Sequence, residues 1–319
     1  MCPKGGVMAK SRAEYLLHPQ PRPLSRSGWR ATIIALVVLV AAILAISIAY
    51  ENEGDLNVSG GLIPPSNPGI TVAIQPLSLE AVTNTLTARL VFNTVGPDYV
   101  NGDAETLAQN TRITVSTTEG NQEFYYPQGS RLGAAQVVLG ADGSVSSYPF
   151  DNYVAELYVR AESVQRETGG GWTVIGPIPV GTEGAGGLSG WDVTMDMPTA
   201  MEDGAQVGMD VERAFSTKLF AIVLLITMTA LAVVALFIAL LVSSGRRRME
   251  VALLGWLGSL LFALPLLRNS LPNAPPIGAS IDILLFLWVL LAAMAAMILS
   301  AITWTRAKKA ELMALQHDN

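Results

Sequence analysis

Hydrophobic residues gather into four long runs, 31–50, 219–242, 251–267 and 283–304, and between the first and second the pattern changes to short alternation. Each run approaches the roughly 20 apolar residues that a helix needs to cross the hydrocarbon core of a bilayer. Transmembrane helices are therefore predicted over 31–50, 217–243, 249–268 and 281–304; the run beginning at Val251 is the shortest. Between Gly60 and Val211 the apolar positions recur every second residue. Leu86, Ala88, Leu90 and Phe92 alternate with polar residues, as do Val154, Leu157 (with one slip), Val159 and Ala161, and then Val193, Met195 and Met197. That period marks strands with one buried face. Turn residues at Gly96-Pro97-Asp98, Asn101-Gly102, Glu119-Gly120-Asn121, Ala141-Asp142-Gly143 and Gly169 to Gly171 divide the segment into about eight strands. The glycine-rich 181–190 has neither the Lys of a phosphate-binding loop nor a helix after it, so it reads as a flexible hairpin loop. The fold class expected is an α+β membrane protein, with an antiparallel β-sandwich over 51–216, one helix before it and three after it.

Charge orients the threading. Lys4, Lys10, Arg12, Arg22, Arg26 and Arg30 precede the first run, Arg246, Arg247 and Arg248 separate the second from the third, and Arg306, Lys308 and Lys309 follow the fourth. Basic flanks stay in the cytoplasm. The tails 1–30 and 305–319 are then cytoplasmic, and 51–216 and the turn near Arg268 lie outside the plasma (inner) membrane. The first run can also be read as a signal peptide, since Ser47-Ile48-Ala49 resembles a cleavage site, but it exceeds the roughly 7–15 residues of a signal core. The basic, proline-containing 1–30 is expected to be disordered.

Segment 51–216 carries 21 Asp and Glu against six Arg and no Lys, a net charge of about −15 against −6 for the whole chain. An acidic exterior repels nucleic acid, so that class of partner is excluded. The single cysteine, Cys2, precedes the first run, so no disulfide staples the outer domain. Cys2 is also on the wrong side of that run for a lipid-anchor cysteine, although acylation there is conceivable.

Both histidines, His18 and His317, lie in the tails, and 51–216 has no His, Cys or Lys. Without them Ser/His triads, Cys nucleophiles, Ser/Lys dyads and the usual zinc ligand sets cannot be built there. Carboxylate pairs acting on sugars remain. Asp98, Asn101, Asp103 and Glu105 offer oxygen ligands that suit calcium but lack the spacing of an EF-hand loop, and a solvated acidic turn accounts for them. Met195, Met197, Met201 and Met209 could present thioethers to copper(I), but Met195 and Met197 share one strand face and read as core. No catalytic residue, cofactor or metal is expected. The spans contain Thr227, Thr229, Ser259 and Ser300 but no ionisable group near mid-depth, which disfavours a coupled transporter or proton relay. Small residues at four-residue spacing, Ala41/Ala45/Ala49, Gly255/Ser259 and Ala292/Ala296/Ser300, suit close helix packing within or between chains.

Two stretches remain as candidates for joining the β domain to the membrane. In Tyr148-Pro149-Phe150-Asp151-Asn152-Tyr153, Pro149 fixes the backbone, Phe150 can fill an apolar slot and Asp151 can accept bonds from turn amides. Such a turn at the foot of a sandwich could dock on the external loop 272–278 or pack on its own core. In the short hairpin between the last two spans, Arg268 closes one helix and Asp282 opens the next, each suited to the helix dipole, with Pro275 and Pro276 between them. Together with YPFDNY, the pieces Phe262 to Pro265 with Arg268, and Pro275 to Gly278 with Asp282, make residues 30–305 resemble an uncharacterised family of four-span membrane proteins, a numbered domain of unknown function in high-GC bacteria and fungi. That resemblance implies the architecture and no activity. A partial similarity links the turn to ligand-gated channels, whose sandwich carries a Phe-Pro-Phe-Asp type turn facing a loop between spans; here the flanking disulfide is missing and a span precedes the sandwich.

The function expected is that of a non-enzymatic scaffold or accessory subunit in the cell envelope, with the lipid bilayer and another membrane protein or further copies of itself as partners. A ligand-sensing or channel-like protein coupled through 268–282 is the alternative, and a carboxylate enzyme on envelope glycans is the third.

Overall fold

The computed structural model describes residues 58–59, 69–96, 106–196 and 204–317, together with most of a helix within 30–48 that forms a unit of its own. Among the described residues, eleven strands build the first part of the larger unit. In chain order they are β1 (Val58–Ser59), β2 (Gly69–Glu80), β3 (Thr85–Val95), β4 (Thr111–Thr117), β5 (Gly120–Tyr126), β6 (Ala135–Gly143), β7 (Asn152–Arg166), β8 (Trp172–Ile178), β9 (Val180–Gly184), β10 (Trp191–Asp196) and β11 (Ala205–Arg213). The 15-residue β7 is the spine. It pairs with β11 and then β8 along one edge, and with β6 and then β4 along the other. β6 leaves β3 at Gly140 and joins β7 at Ala141, which folds the sheet over so that β9-β2-β3-β6 covers β10-β11-β7-β4. The two faces share one apolar core of Ile74, Leu86, Leu90, Ile113, Leu157, Val207 and their neighbours.

Alternation explains which side chains enter that core, and it corrects several expectations. On β7 the inward positions are Tyr153, Ala155, Leu157, Val159 and Ala161, an unbroken period of two, while Val154 is 43% exposed. The slip expected from Val154 is absent: the small Ala155 and the polar-tipped Tyr153 take the inward positions, and the more hydrophobic Val154 faces out. Ala141 to Gly143 form a strand end on β7 rather than a turn. The glycine-rich stretch is not a free loop at its start: β9 runs parallel to β2, with Thr182 buried opposite Val72. With β1 on β10, this makes two parallel pairs in a sheet otherwise antiparallel. Met195 and Met209 face each other across β10 and β11 inside the core. Met197, Met201 and the acidic 98–105 lie outside the described residues.

Three helices follow, each long and apolar enough to cross a membrane: α1 (Phe215–Ser243), α2 (Val251–Asn269) and α3, which opens with one π turn (Asp282–Phe286) and continues as α-helix over Leu287–His317. At 1.5 Å per residue the 19 residues of α2 measure about 28 Å, close to the thickness of the hydrocarbon core, and the 29 of α1 about 44 Å. Helix α3 runs through the expected tail 305–319 as far as His317, because Arg306 to Gln316 are good helix formers with no Gly or Pro among them. Alanines let the helices approach: Ala232, Ala235 and Ala239 of α1 share a buried cluster with Ala293 and Ala296 of α3 and with Leu257, Leu260 and Leu264 of α2. Gly255 and Ser259, expected at a packing face, are exposed. The described part of the 30–48 helix exposes Ile33, Ile34, Val37, Ile43 and Ile48.

Candidate functional site

The end of the β domain next to α1 holds two charged groups that strand alternation turns inward. On β11 the buried positions are Ala205, Val207, Met209 and Val211, and the next one is Arg213. On β7 the first inward residue is Tyr153, with Asp151 two positions before it on the same side. Tyr153 pairs in register with Val211, so the two charges meet below the core. Both side chains of the pair are 0% exposed. The guanidinium donates from Nε to Asp151 Oδ1 (2.5 Å) and from Nη2 to Oδ2 (3.0 Å), and the Tyr153 hydroxyl donates to Oδ2 (3.0 Å).

Two aromatic rings close the faces of the guanidinium. Trp191, the register partner of Arg213 on β10, and Tyr148 each lie 4.5 Å from its central carbon, at a distance where ring quadrupoles attract a cation. Tyr148 ends a 3₁₀ turn (Val145–Ser147) and is joined to Pro149 by a cis peptide bond. Its ring packs with Ala221 of α1 and with Leu271, Ala279 and Ile281 of the α2–α3 connection. Its hydroxyl donates to the Pro272 carbonyl (3.1 Å), which also accepts a longer bond from Arg213 Nη1 (3.4 Å).

A second ion pair holds that connection. Arg268, in the last turn of α2, donates from Nε to Asp282 Oδ1 (2.9 Å) and from Nη2 to Oδ2 (2.7 Å), and Nη2 also reaches the Pro276 carbonyl (3.2 Å). The Gly278 amide donates to Asp282 Oδ2 (2.9 Å), and Gly278 has φ 98°, a backbone conformation that glycine adopts without penalty. A bidentate Arg–carboxylate fork of this kind fixes geometry as well as charge.

The residues singled out in the sequence thus fall into three groups. Tyr148, Asp151 and Tyr153 join Arg213 at the foot of the β domain; Arg268, Pro276 and Asp282 form the second cluster; and Pro149 and Pro275 are buried beside them. Phe150 fills no slot and is 66% exposed, because Tyr148 occupies the apolar position. Arg213 and Trp191 were not singled out. The alternation of β11 continuing into an arginine was the available signal, but its partner is 62 residues away. Elsewhere, the other buried carboxylate among the described residues, Glu162, is forked by Arg112 (3.0 and 2.5 Å) and approached by Arg160 (3.2 Å).

Burial pushes the Tyr148 hydroxyl up to about 12 from the ordinary 10.0, with the Arg213 charge pulling it down and Asp151 pushing it up. Tyr153 is raised as well, by burial first and then by the Asp151 charge and hydrogen bond. A raised phenol is neutral in the folded state where it would ionise unfolded. Its contribution to stability is therefore complete below pH 10 and is lost as pH rises toward 12 and beyond. In a spectrophotometric titration of the folded protein, Tyr148 and Tyr153, with Tyr126, which burial also raises, are expected to ionise later than the exposed tyrosines, together with loss of the fold. Full ionisation near the ordinary value with the fold intact would contradict a buried joint.

Residues 63–211 match the model of a domain of unknown function (DUF4436), and residues 213–307 that of a second domain of unknown function (DUF8686). No curated protein matches the chain. The matches agree with the uncharacterised family read from the sequence; the number of spans and the source organisms are not part of them.

Proposed function

We propose that the chain is a non-enzymatic membrane protein of the cell envelope, a scaffold or accessory subunit that presents its acidic β domain outside the plasma membrane with both termini in the cytoplasm. The observation that carries this reading is the sealed joint of Asp151, Arg213, Tyr148 and Pro272. Its hydrogen bonds tie the β domain to the helical hairpin, Asp151 and Arg213 are paired with each other, and both phenols are protonated at neutral pH. Such a joint suits rigid presentation of a surface. The basic flanks of the helices support the orientation. Purified in mild detergent after reversible cross-linking, the full chain is expected to carry a stoichiometric membrane-protein partner or a second copy. A monomer that brings nothing with it under those conditions would remove the reading. The orientation has its own test: in intact cells, S144C in a C2S background should react with a thiol reagent that cannot cross membranes, and protection until lysis would refute it.

One observation favours a second, sensor-like or channel-like reading. Tyr148 sits where any tilt of the β domain reaches the α2–α3 connection. Reconstituted bilayers test the channel version, which absence of conductance across ligands and pH would remove. The carboxylate-enzyme reading draws no support from Asp151 and Glu162, both of which are held by arginines.

A further inference from the structure

At the end of α1 and α2 far from the β domain, a cavity of about 270 Å³ opens sideways between the two helices. One wall is a single face of α1, with Val234, Ile238 and Val242 at four-residue spacing, and Leu253 and Trp256 of α2 form the other. From Val242 to Val234 the wall runs eight residues, about 12 Å into the apolar depth. At the mouth stand Arg247 and Arg248, with Glu250 beside them. Neither arginine takes part in an ion pair among the described residues. Their place is set by the way α1 stops: Gly245 takes φ 70°, its amide donates to Val242 O (3.1 Å) and the Arg246 amide donates to Leu241 O (3.1 Å), a Schellman end that turns the basic run across the helix terminus.

We propose that this cavity holds one anionic phospholipid, with its phosphate on Arg247 and Arg248 and the upper part of one acyl chain along Val234, Ile238 and Val242. The division of chemistry carries the assignment. Planar guanidinium groups match a phosphate ester, and basic pockets between membrane helices select anionic head groups. A free phosphate would engage the arginines and leave the valine, isoleucine and tryptophan walls wet. A zwitterionic lipid would bring its own cation against two arginines. The leaflet is the one opposite the β domain, whichever compartment that domain occupies. The proposal rests on α1 and α2 spanning the bilayer.

The test uses the full chain in lipid nanodiscs containing equal phosphatidylglycerol and phosphatidylcholine, transferred to detergent and weighed by native mass spectrometry. Phosphatidylglycerol is expected to be retained over phosphatidylcholine by about fivefold or more, the effect of one arginine near a head group. R247Q/R248Q should abolish that preference with the thermal midpoint unchanged. I238W, which fills the cavity and leaves both arginines in place, should expel the lipid. Quenching of the Trp256 emission by brominated phosphatidylglycerol, judged against W256F, should fall in R247Q/R248Q. Equal retention of the two lipids overturns the proposal; retention of phosphatidylglycerol by I238W would mean surface charge alone; and displacement by inorganic phosphate would mean a simple anion site. Resistance to carbonate extraction, measured on the cell membranes from which the chain is purified, separates failure of this site from failure of the spanning reading.

Discussion

Changing Asp151 to Ala is expected to destabilise the β domain by about 3–5 kcal/mol, the usual cost of leaving one partner of a buried ion pair alone. Arg213 has 0% exposure, so its charge could reach water only if the foot of the domain opened. The same change removes the acceptor of the Tyr153 hydroxyl. Chemical unfolding of the purified full chain in detergent, followed through its aromatic circular dichroism, measures the loss. The double change D151L/R213M, which removes both charges and keeps the volume apolar, should recover most of it, since such replacements of buried pairs are often neutral. A loss under 1 kcal/mol in D151A would mean that water already reaches the pair.

Tyr148 separates packing from hydrogen bonding at the same place. Y148A is expected to cost about 3–5 kcal/mol, as deletion of buried aromatic rings does, because it empties the contact with Ala221, Leu271, Ala279 and Ile281 and uncovers one face of the Arg213 guanidinium. Y148F keeps the ring and loses only the bond to the Pro272 carbonyl, a net effect of about 0.5–1.5 kcal/mol. Protease digestion of the same variants reads out the joint: Y148A should expose the connection between α2 and α3 to cleavage, whereas Y148F should protect it nearly as well as the parent does. If both variants behave alike, the ring does not hold the hairpin.

The helices were legible because their signal is local. The runs 219–242 and 251–267 fall within α1 and α2, and 283–304 lies within α3, since a long apolar stretch needs no partner to be recognised. Which helix faces meet was less legible. Alanine is apolar wherever it stands, and only contact distinguishes Ala235 and Ala293 from their neighbours. Strand positions such as Leu86, Ala88, Leu90 and Phe92 were readable by alternation. Pairing was not: nothing in Gly181 to Gly184 announces a parallel partner more than a hundred residues earlier in the chain. The joint was half visible. YPFDNY and the Arg268/Asp282 hairpin stand out by composition, but in the sequence Arg213 is one of six arginines in an acidic segment, and only the register of β7, β10 and β11 places it between Tyr148 and Trp191.

The Tyr148 hydroxyl and its acceptor are separated by 124 residues, with all of α1 and α2 between them. Synthesis proceeds at about 5–20 residues per second, so Tyr148 is made roughly 6–25 s before Pro272. Every described strand has emerged by then, with Tyr148 and Trp191 at hand to cover Arg213, yet the Pro272 carbonyl that Tyr148 and Arg213 share is still to be made. The joint, unlike the β core, therefore closes only after the helices that follow have been made. A nascent chain whose hairpin lay on the other face would have no Pro272 within reach, and the Tyr148 hydroxyl would be left without that acceptor.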